Sequence, residues 1–169
     1  LAADTPPVIV SCATIANFAE SFVAKLKTKA KVSVQVGING GLLSLGNVYI
    51  IPSEHHGRVE KSGTTAVLKL EKGHPVNSQI PSANVLFKSA ASSYGAGVYG
   101  ILLGGFGIDG VDGMTDVQKS GGFTVAQNPE EAQFPYGPQK AIEIGVVDEI
   151  LAVATISGHL MDYRNKNLY

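Results

Sequence analysis

The stretch Gly104-Gly105-Phe106-Gly107-Ile108-Asp109-Gly110-Val111-Asp112-Gly113-Met114 indicates the fold more clearly than any other segment. It follows the apolar run 98–103, which is typical of a buried strand, and leads into an amphipathic run that ends at Gly121-Gly122. A strand, a glycine-rich turn with one carboxylate and then a helix form a unit in which α/β proteins place ligands or catalytic groups. The stretch therefore predicts an α/β domain with a site at this turn.

Strand-like and helix-like patterns alternate along the rest of the chain. Predicted strands cover 7–12, 31–36, 48–51, 98–103, 123–126 and 146–151; predicted helices cover 16–27 (capped by Asn17), 81–91, 138–144 and 155–163, before a polar tail at 164–166 that should fray. Segments 58–60 and 66–70 predict an exposed hairpin, and 37–46 reads as a turn-rich connection. This order predicts an α/β fold: a doubly wound, mostly parallel sheet flanked by helices, with a β-hairpin insertion, in a single domain spanning 1–169.

Composition excludes several classes of protein. The chain has 169 residues, 44% hydrophobic and 16% charged, with a net charge of −1. This balance favours a globular domain and gives no footprint for nucleic acid, and no apolar run is long enough for membrane insertion. The single cysteine, Cys12, cannot form an internal disulfide, which predicts a reducing, cytoplasmic compartment and a buried structural thiol.

The glycine-rich turn allows three interpretations. Gly105, Gly107 and Gly110 have the spacing of a dinucleotide fingerprint, but Asn128 stands where the partner acid should lie, and Asp109 would repel a phosphate. Asp109 could instead orient a catalytic histidine, or it could cap the following helix. Taken alone, the residues favour the helix cap.

The adjacent pair His55-His56 beside Glu54 is the other cluster of candidate ligands. Such a trio can bind zinc, but neighbouring positions on an extended chain point in opposite directions. The pattern favours a surface loop over a metal site, and we expect no metal and no cofactor.

A set of motifs, fairly specific when taken together, runs almost without gaps from Phe18 to Leu151. Its members are Val48-Tyr49-Ile50-Ile51-Pro52 followed by His56, Pro75-Val76-Asn77, Pro81-Ser82 with Val85-Leu86-Phe87, Gly107-x-Asp109-Gly110 with Gly113-Met114, Ala126-Gln127-Asn128-Pro129 with Phe134-Pro135, and Ala141-Ile142. Together they resemble the catalytic domain of the chemotaxis receptor methylesterases, the CheB-type protein-glutamate methylesterases. The resemblance implies a doubly wound, Rossmann-like hydrolase domain of two-component chemotaxis signalling.

The resemblance also implies a mechanism. Members of this family hydrolyse methyl esters of glutamate side chains on chemoreceptors, and some deamidate glutamine there, with a serine nucleophile, a histidine base and an aspartate. Asp109 matches the catalytic aspartate. The chemoreceptor cytoplasmic segments are then the expected partners.

The chain departs from the family pattern around the site. The family's nucleophile turn, Gly-Ala-Ser-Thr-Gly-Gly, would precede Leu1, so the domain is expected to be N-terminally incomplete relative to the family. The base histidine position is occupied by Ala13. Further departures are Asn84 for aspartate, Phe106 for methionine and Tyr136-Gly137-Pro138-Gln139 for Gly-Met-Pro-Arg.

Two functions follow from these departures. The first is a methylesterase-like domain whose activity is absent or impaired, because alanine cannot accept the proton of the serine nucleophile. The second is a non-catalytic binding or regulatory module built on the same scaffold. In either case we expect a regulatory domain or a second chain to cover the sheet edge left open by the missing first strand.

Overall fold

A computed structural model describes residues 1, 3–13 and 18–167 of the chain. Within these residues, nine strands and five α-helices follow one another. They are β1 (Val8–Val10), α1 (Phe18–Lys27), β2 (Ser33–Val36), β3 (Gly41–Leu43), β4 (Asn47–Ile50), β5 (His55–Ser62), β6 (Thr65–Lys72), α2 (Ala83–Tyr94), β7 (Tyr99–Leu102), α3 (Val111–Lys119), β8 (Phe123–Gln127), α4 (Tyr136–Glu143), β9 (Glu149–Leu151) and α5 (Val153–Asn167).

Six of these strands are parallel and form two hydrogen-bonded groups. One group has the order β1-β4-β2 and the other the order β7-β8-β9. The remaining strands form an antiparallel sheet of order β3-β6-β5, which contains the predicted hairpin. Parallel neighbours need crossover connections. Helix α3 connects β7 to β8 and α4 connects β8 to β9, whereas β2 and β4 are connected through β3. The predicted α/β fold with a mostly parallel sheet and a hairpin insertion is confirmed.

Apolar faces of the helices pack on the two parallel groups. In α1, Ala19 and Val23 pack against Val34 of β2 and its neighbours in β4. In α3, Met114 and Val117 are completely buried. Met114 belongs to a second hydrophobic cluster, formed by α3, α4 and the end of β7, which lies next to the glycine-rich turn and fixes the start of α3.

The hairpin packs on the domain more closely than its polar sequence suggests. β5 and β6 pair over eight residues each, and Val59 is buried beside Leu86 of α2. The Val59 N–H donates to Ser89 Oγ at 2.9 Å, and Ser93 Oγ donates to the Val59 carbonyl at 2.9 Å. The predicted exposed hairpin is therefore anchored on α2 through the middle of β5, and the Tyr94 hydroxyl of α2 also donates to the Thr65 carbonyl beside the turn at 3.4 Å.

Three local predictions are corrected. The connection 37–46 contains β3, a three-residue strand whose partner β6 lies far along the chain, so local patterns do not reveal it. Helix α2 begins after Ser82, so Pro81 precedes the N-cap instead of lying in the first turn. The polar tail does not fray, because buried Arg164 bonds the Asp4 carboxylate and carbonyl, each at 2.7 Å. The predicted cap Asn17 lies outside the described residues.

No helix in the described part of the chain combines the length and the apolar character needed to span a lipid bilayer.

Candidate functional site

The glycine-rich turn connects the carboxyl end of β7 to the start of α3. Gly107 and Gly110 adopt positive φ angles of 80° and 99°. A side chain at Gly110 would also place its Cβ 2.8 Å from Leu102 Cδ1. Glycine is therefore required at position 110 both by the backbone conformation and by space. This tight turn fixes the position of Asp109, the residue before it.

The Asp109 carboxylate binds the start of α2. Ser82 Oγ donates to Asp109 Oδ1 at 2.7 Å, and the Ala83 N–H donates to Oδ2 at 2.5 Å. Ala83 is the first residue of α2, so its N–H has no partner within the helix. A negative charge at this end also complements the helix dipole. Asp109 therefore caps α2, and the prediction that it caps the following helix is wrong.

The start of α3 is capped in return by a residue of α2. Asn84 Oδ1 accepts the Gly110 N–H at 3.0 Å and the Gly113 N–H at 2.8 Å. The two helix starts are thus capped reciprocally: Asp109, just before α3, caps α2, and Asn84 of α2 caps α3. The same bonds occupy backbone amides that a phosphate would need, which disfavours the dinucleotide interpretation.

His56 lies beside this pair of caps. It is buried, and its Nδ1 accepts the Ser82 N–H at 3.2 Å while its Nε2 lies 3.0 Å from the His74 carbonyl. Since an N–H can only donate and a carbonyl can only accept, these partners assign the neutral imidazole with its proton on Nε2. The surface-loop prediction is wrong for His56, because β5 begins at His55 and turns this side chain toward α2.

The predicted opposition of the two adjacent histidines agrees with their contacts. His55 Nδ1 lies 3.1 Å from the Ser53 carbonyl, away from the partners of His56. Within the described residues, no group of three or more histidine, cysteine or acidic side chains is arranged to hold a metal ion.

The fold thus brings a serine, a histidine and an aspartate together without the connections of a hydrolytic triad. In a triad, the imidazole bonds the serine hydroxyl on one side and the carboxylate on the other. Here the Ser82 hydroxyl donates directly to Asp109, and both nitrogens of His56 face backbone groups. Ser82 is also 0% exposed, so a substrate cannot reach its oxygen. We refer to Asp109, Ser82, Ala83, Asn84 and His56 as the Asp109 network.

The segment after β1 carries the position where the resemblance implies a base. Ala13 is exposed and has no group that could accept a proton. Cys12 is exposed as well, so the prediction of a buried structural thiol is wrong. Atoms around its sulfur nevertheless raise the pKa of the Cys12 thiol by desolvation, which disfavours the nucleophilic thiolate.

Apolar side chains surround the outer surface of the glycine-rich turn. Phe106 is 71% exposed, and its ring lies 4.0 Å from that of Phe134, centre to centre. The Gly105 N–H donates to the Phe134 carbonyl at 2.9 Å, which joins the turn to the segment before α4. We call the exposed side chains of this surface the apolar rim: Leu103, Phe106, Ile108 and Tyr136.

Comparison with known proteins identifies the family. A sequence profile described as CheB methylesterase matches residues 1–160. The chain belongs to this family. The crystal structure of the Thermotoga maritima CheB methylesterase catalytic domain superposes with a TM-score of 0.93 at 25% identity, and covers 96% of this chain and 87% of that chain.

Curated relatives of the same family are longer proteins. A protein-glutamate methylesterase/protein-glutamine glutaminase of Bordetella avium is 34% identical over 159 residues, which cover 94% of this chain and 45% of the relative. One from Albidiferax ferrireducens is 35% identical over 162 residues, covering 95% and 43%. The chain therefore spans less than half the length of the curated CheB methylesterase relatives it matches.

Sequence reasoning missed the roles of Ser82 and Asn84. A proline and a serine before an apolar helical run are a recognisable N-cap signal, which would have marked Ser82 as the residue where α2 begins. No local signal reveals that Asp109 and Asn84 cap each other's helices, because these bonds join segments 26 to 29 residues apart.

Proposed function

We propose that this CheB methylesterase-family chain is a single domain of a bacterial chemotaxis signalling protein whose hydrolysis of glutamate methyl esters is absent or strongly reduced. The observation that carries this proposal is the use of the Asp109 carboxylate as a helix cap. Both of its oxygens accept bonds from the start of α2. A triad aspartate must instead hold an imidazole in the correct tautomer.

The histidines of the chain support the same proposal. All four lie in the described part, and no hydrogen bond joins any of them to Asp109. The imidazoles of His55 and His56 contact backbone carbonyls or N–H groups, His74 is exposed and contributes its own carbonyl to His56, and His159 contacts Tyr99 and Glu149. The position that matches the family's base is Ala13. Removing one triad member lowers the rate by orders of magnitude, since the remaining groups no longer act as a unit.

A second candidate function is a binding module, and the apolar rim favours it. The four side chains of the rim are between 49% and 71% exposed and lie on adjacent segments. Contiguous exposed apolar surface of this kind marks protein interaction sites. Segments of chemoreceptors facing the cytoplasm are the partners we propose for this surface.

We also propose that a regulatory domain or a second chain packs against β1, the edge strand of the group β1-β4-β2. Within the described residues, β1 pairs with β4 alone and β7 pairs with β8 alone. All three residues of β1 are only half-buried although they are apolar. An added strand would satisfy this edge. Amide hydrogen exchange should then slow at residues 8–10 on assembly, and unchanged exchange would exclude this cover.

The ester assay tests the first candidate. Purified protein is incubated with a peptide carrying a glutamate γ-methyl ester, and methanol release is measured for the wild type, Asp109→Ala and Asp112→Ala. Asp112 is the matched control because it is an exposed aspartate three residues away. We expect release at the uncatalysed rate in all three. Turnover that Asp109→Ala abolishes and Asp112→Ala retains would overturn the proposal.

Binding titrations test the second candidate. Receptor cytoplasmic segments are titrated against the wild type, Phe106→Ala and Leu42→Ala. Leu42 is 60% exposed and lies on β3, away from the rim, so it controls for the loss of an exposed apolar side chain. Weaker binding in Phe106→Ala alone supports the module, whereas no association with the wild type rejects it.

A further inference from the structure

The charges of the chain are distributed unevenly. Residues 21–53 contain four lysines and no acidic side chain, whereas the other residues carry nine basic and fourteen acidic side chains, a balance of −5. A charge of +4 is thus concentrated in about a fifth of a chain whose net charge is −1. The net value conceals this separation.

All four lysines lie at one corner of the fold. Lys25 and Lys27 belong to the last turn of α1, and Lys29 and Lys31 lie in the connection to β2. All four are exposed, and none forms an ion pair within the described residues. We call them the lysine cluster.

Stabilisation of the end of α1 explains the presence of only two of the four lysines. Lys25 and Lys27 complement the negative end of the α1 dipole, but this effect falls off beyond the last turn. Lys29 and Lys31 lie past that turn, where they gain little from the dipole. Their own repulsion opposes holding four like charges so close together.

The backbone that carries the cluster is held by hydrogen bonds and by core packing. The N–H groups of Lys29 and Ala30 both donate to the Leu26 carbonyl, at 2.9 and 2.8 Å. Leu26 in turn packs against the core formed by α1, β2 and β4. The lysines are therefore presented from a fixed turn, which lowers the entropy cost of binding a partner there.

An exposed leucine adjoins the charges. Leu45 is 58% exposed, and the next residue, Gly46, accepts the Ser33 N–H at 3.0 Å through its carbonyl. This bond places the Leu45 turn beside the start of β2, two residues after Lys31. The corner thus combines cationic and apolar contacts, which suits a protein segment with both acidic and apolar residues.

Membrane and nucleic acid are poorer partners for this corner. The apolar face of α1 is buried in the core through Ala19 and Val23, so no apolar helix face is available to enter a lipid interface. Phe22 and Tyr49, the two aromatic residues of 21–53, also face the interior, so no ring is presented for base stacking.

We propose that the lysine cluster is a docking surface for a glutamate-rich protein segment, separate from the Asp109 network. The identity of this partner class rests on the proposed function, since the named relatives act on protein glutamate and glutamine. Both ester hydrolysis and deamidation leave a carboxylate on the protein. The cluster therefore favours the segment in its unesterified, charged form over its neutral form.

Fluorescence polarisation with two labelled peptides tests this inference. One peptide is rich in glutamate, and the other has glutamine at each of those positions. We expect the wild type to bind the glutamate peptide, to bind the glutamine peptide far less, and to lose affinity as NaCl increases, because exposed charges are screened.

Two variants with equal charge change locate the surface. The quadruple variant Lys25→Gln, Lys27→Gln, Lys29→Gln, Lys31→Gln should lose about tenfold or more in affinity, since each exposed ion pair contributes little alone. The control variant Lys61→Gln, Lys72→Gln, Lys88→Gln, Lys119→Gln removes four exposed lysines elsewhere and should retain most of the affinity.

Several results would overturn the inference. Equal losses in the two variants would show that net charge, not this corner, governs binding. Stronger cluster-dependent binding to vesicles of equimolar phosphatidylserine and phosphatidylcholine, or to single-stranded polythymidine, would assign the corner to another class of partner. Catalytic turnover that depends on Asp109 would contradict the proposed function and leave this result unaffected, so the two failures are distinguishable.

Discussion

The Asp109 network and the lysine cluster use charge in opposite ways. In the network, the Asp109 carboxylate lies between the starts of two helices and accepts bonds from Ser82 and Ala83. In the cluster, four exposed lysines lie at the end of α1 and in the connection to β2, and none has an ionic partner within the described residues. The charge of the network stabilises the fold, whereas the charge of the cluster is available to another molecule.

This difference bears on how a site of this family is interpreted. An aspartate at a matching position is not sufficient for catalysis, because its partners decide whether it orients a base or holds a helix. The resemblance matches Asp109 and its glycine turn to the catalytic aspartate of the family, yet the two bonds of its carboxylate go to α2. Substitutions should therefore affect stability at the network and binding at the cluster.

The largest effect should come from Asp109→Ala. It leaves the Ala83 N–H and the Ser82 hydroxyl without their charged acceptor, and we expect the free energy of unfolding to fall by about 2–3 kcal/mol. Urea unfolding measures this change. The exposed control Asp112→Ala should alter it by less than about 0.5 kcal/mol. Equal losses of unfolding free energy in the two variants would contradict the claim that Asp109 stabilises the fold more than an exposed aspartate does.

The next largest effect concerns the reciprocal cap. Asn84→Ala removes the acceptor for Gly110 and Gly113 and should cost about 1–2 kcal/mol of unfolding free energy, the usual loss for a missing cap. Asn84→Asp keeps an oxygen at the same place and restores the residue type of the family. We expect this variant to retain most of the stability in urea unfolding. An Asp variant as unstable as the Ala variant would argue against capping as the role of Asn84.

A smaller effect is expected at Tyr99, which is half-buried and belongs neither to the Asp109 network nor to the exposed lysine cluster. Burial, with added contributions from Glu149 and Tyr163, raises the pKa of Tyr99 to about 12. An unfolded tyrosine ionises near pH 10, so this contribution to stability is complete below about pH 10 and is lost as the pH rises through about 12.

Alkaline unfolding curves check this expectation. Tyr99→Phe should flatten the loss of stability between about pH 10 and 12, since phenylalanine does not ionise. Tyr136→Phe is the matched control because Tyr136 is 58% exposed, and its curve should follow the wild type. A Tyr99→Phe curve identical to that of the wild type would contradict the predicted linkage.

The smallest effect should come from the lysine cluster. Lys29→Gln removes a charge that has no ionic partner in the described residues, so unfolding free energy should change by less than about 0.5 kcal/mol. Thermal or urea unfolding measures it. A loss as large as that of Asn84→Ala would mean that the cluster serves the fold itself.

Much of this fold could be predicted from the sequence because its elements carry strong local periodicity. The strand before the glycine turn and the helix after it lie where their apolar spacing placed them. β3 was missed because three residues carry too little pattern, and its pairing with β6 is distant in sequence. The order of the tail at Arg164 was missed because its partner, Asp4, lies at the other end of the chain.

At the site, too, contacts between segments distant in sequence could not be predicted. The position of Asp109 could be predicted from the glycine turn, and the family resemblance was confirmed by the comparisons. The partners of Asp109 could not be predicted, since Ser82 and Ala83 belong to a helix that lies earlier in the chain. The burial of His56 could not be predicted either, because its sequence neighbours Glu54 and His55 are polar and give no sign that β5 packs against α2.

A double-mutant cycle between Ser82→Ala and Asp109→Ala tests most directly whether Asp109 serves as the anchor of α2. Urea unfolding gives the free energy for the wild type, both single variants and the double variant. If the hydroxyl and the carboxylate stabilise the fold through their bond, the losses are not additive and the coupling energy is about 1–2 kcal/mol. Losses that add to within about 0.5 kcal/mol would contradict the account, since the two groups would then act independently.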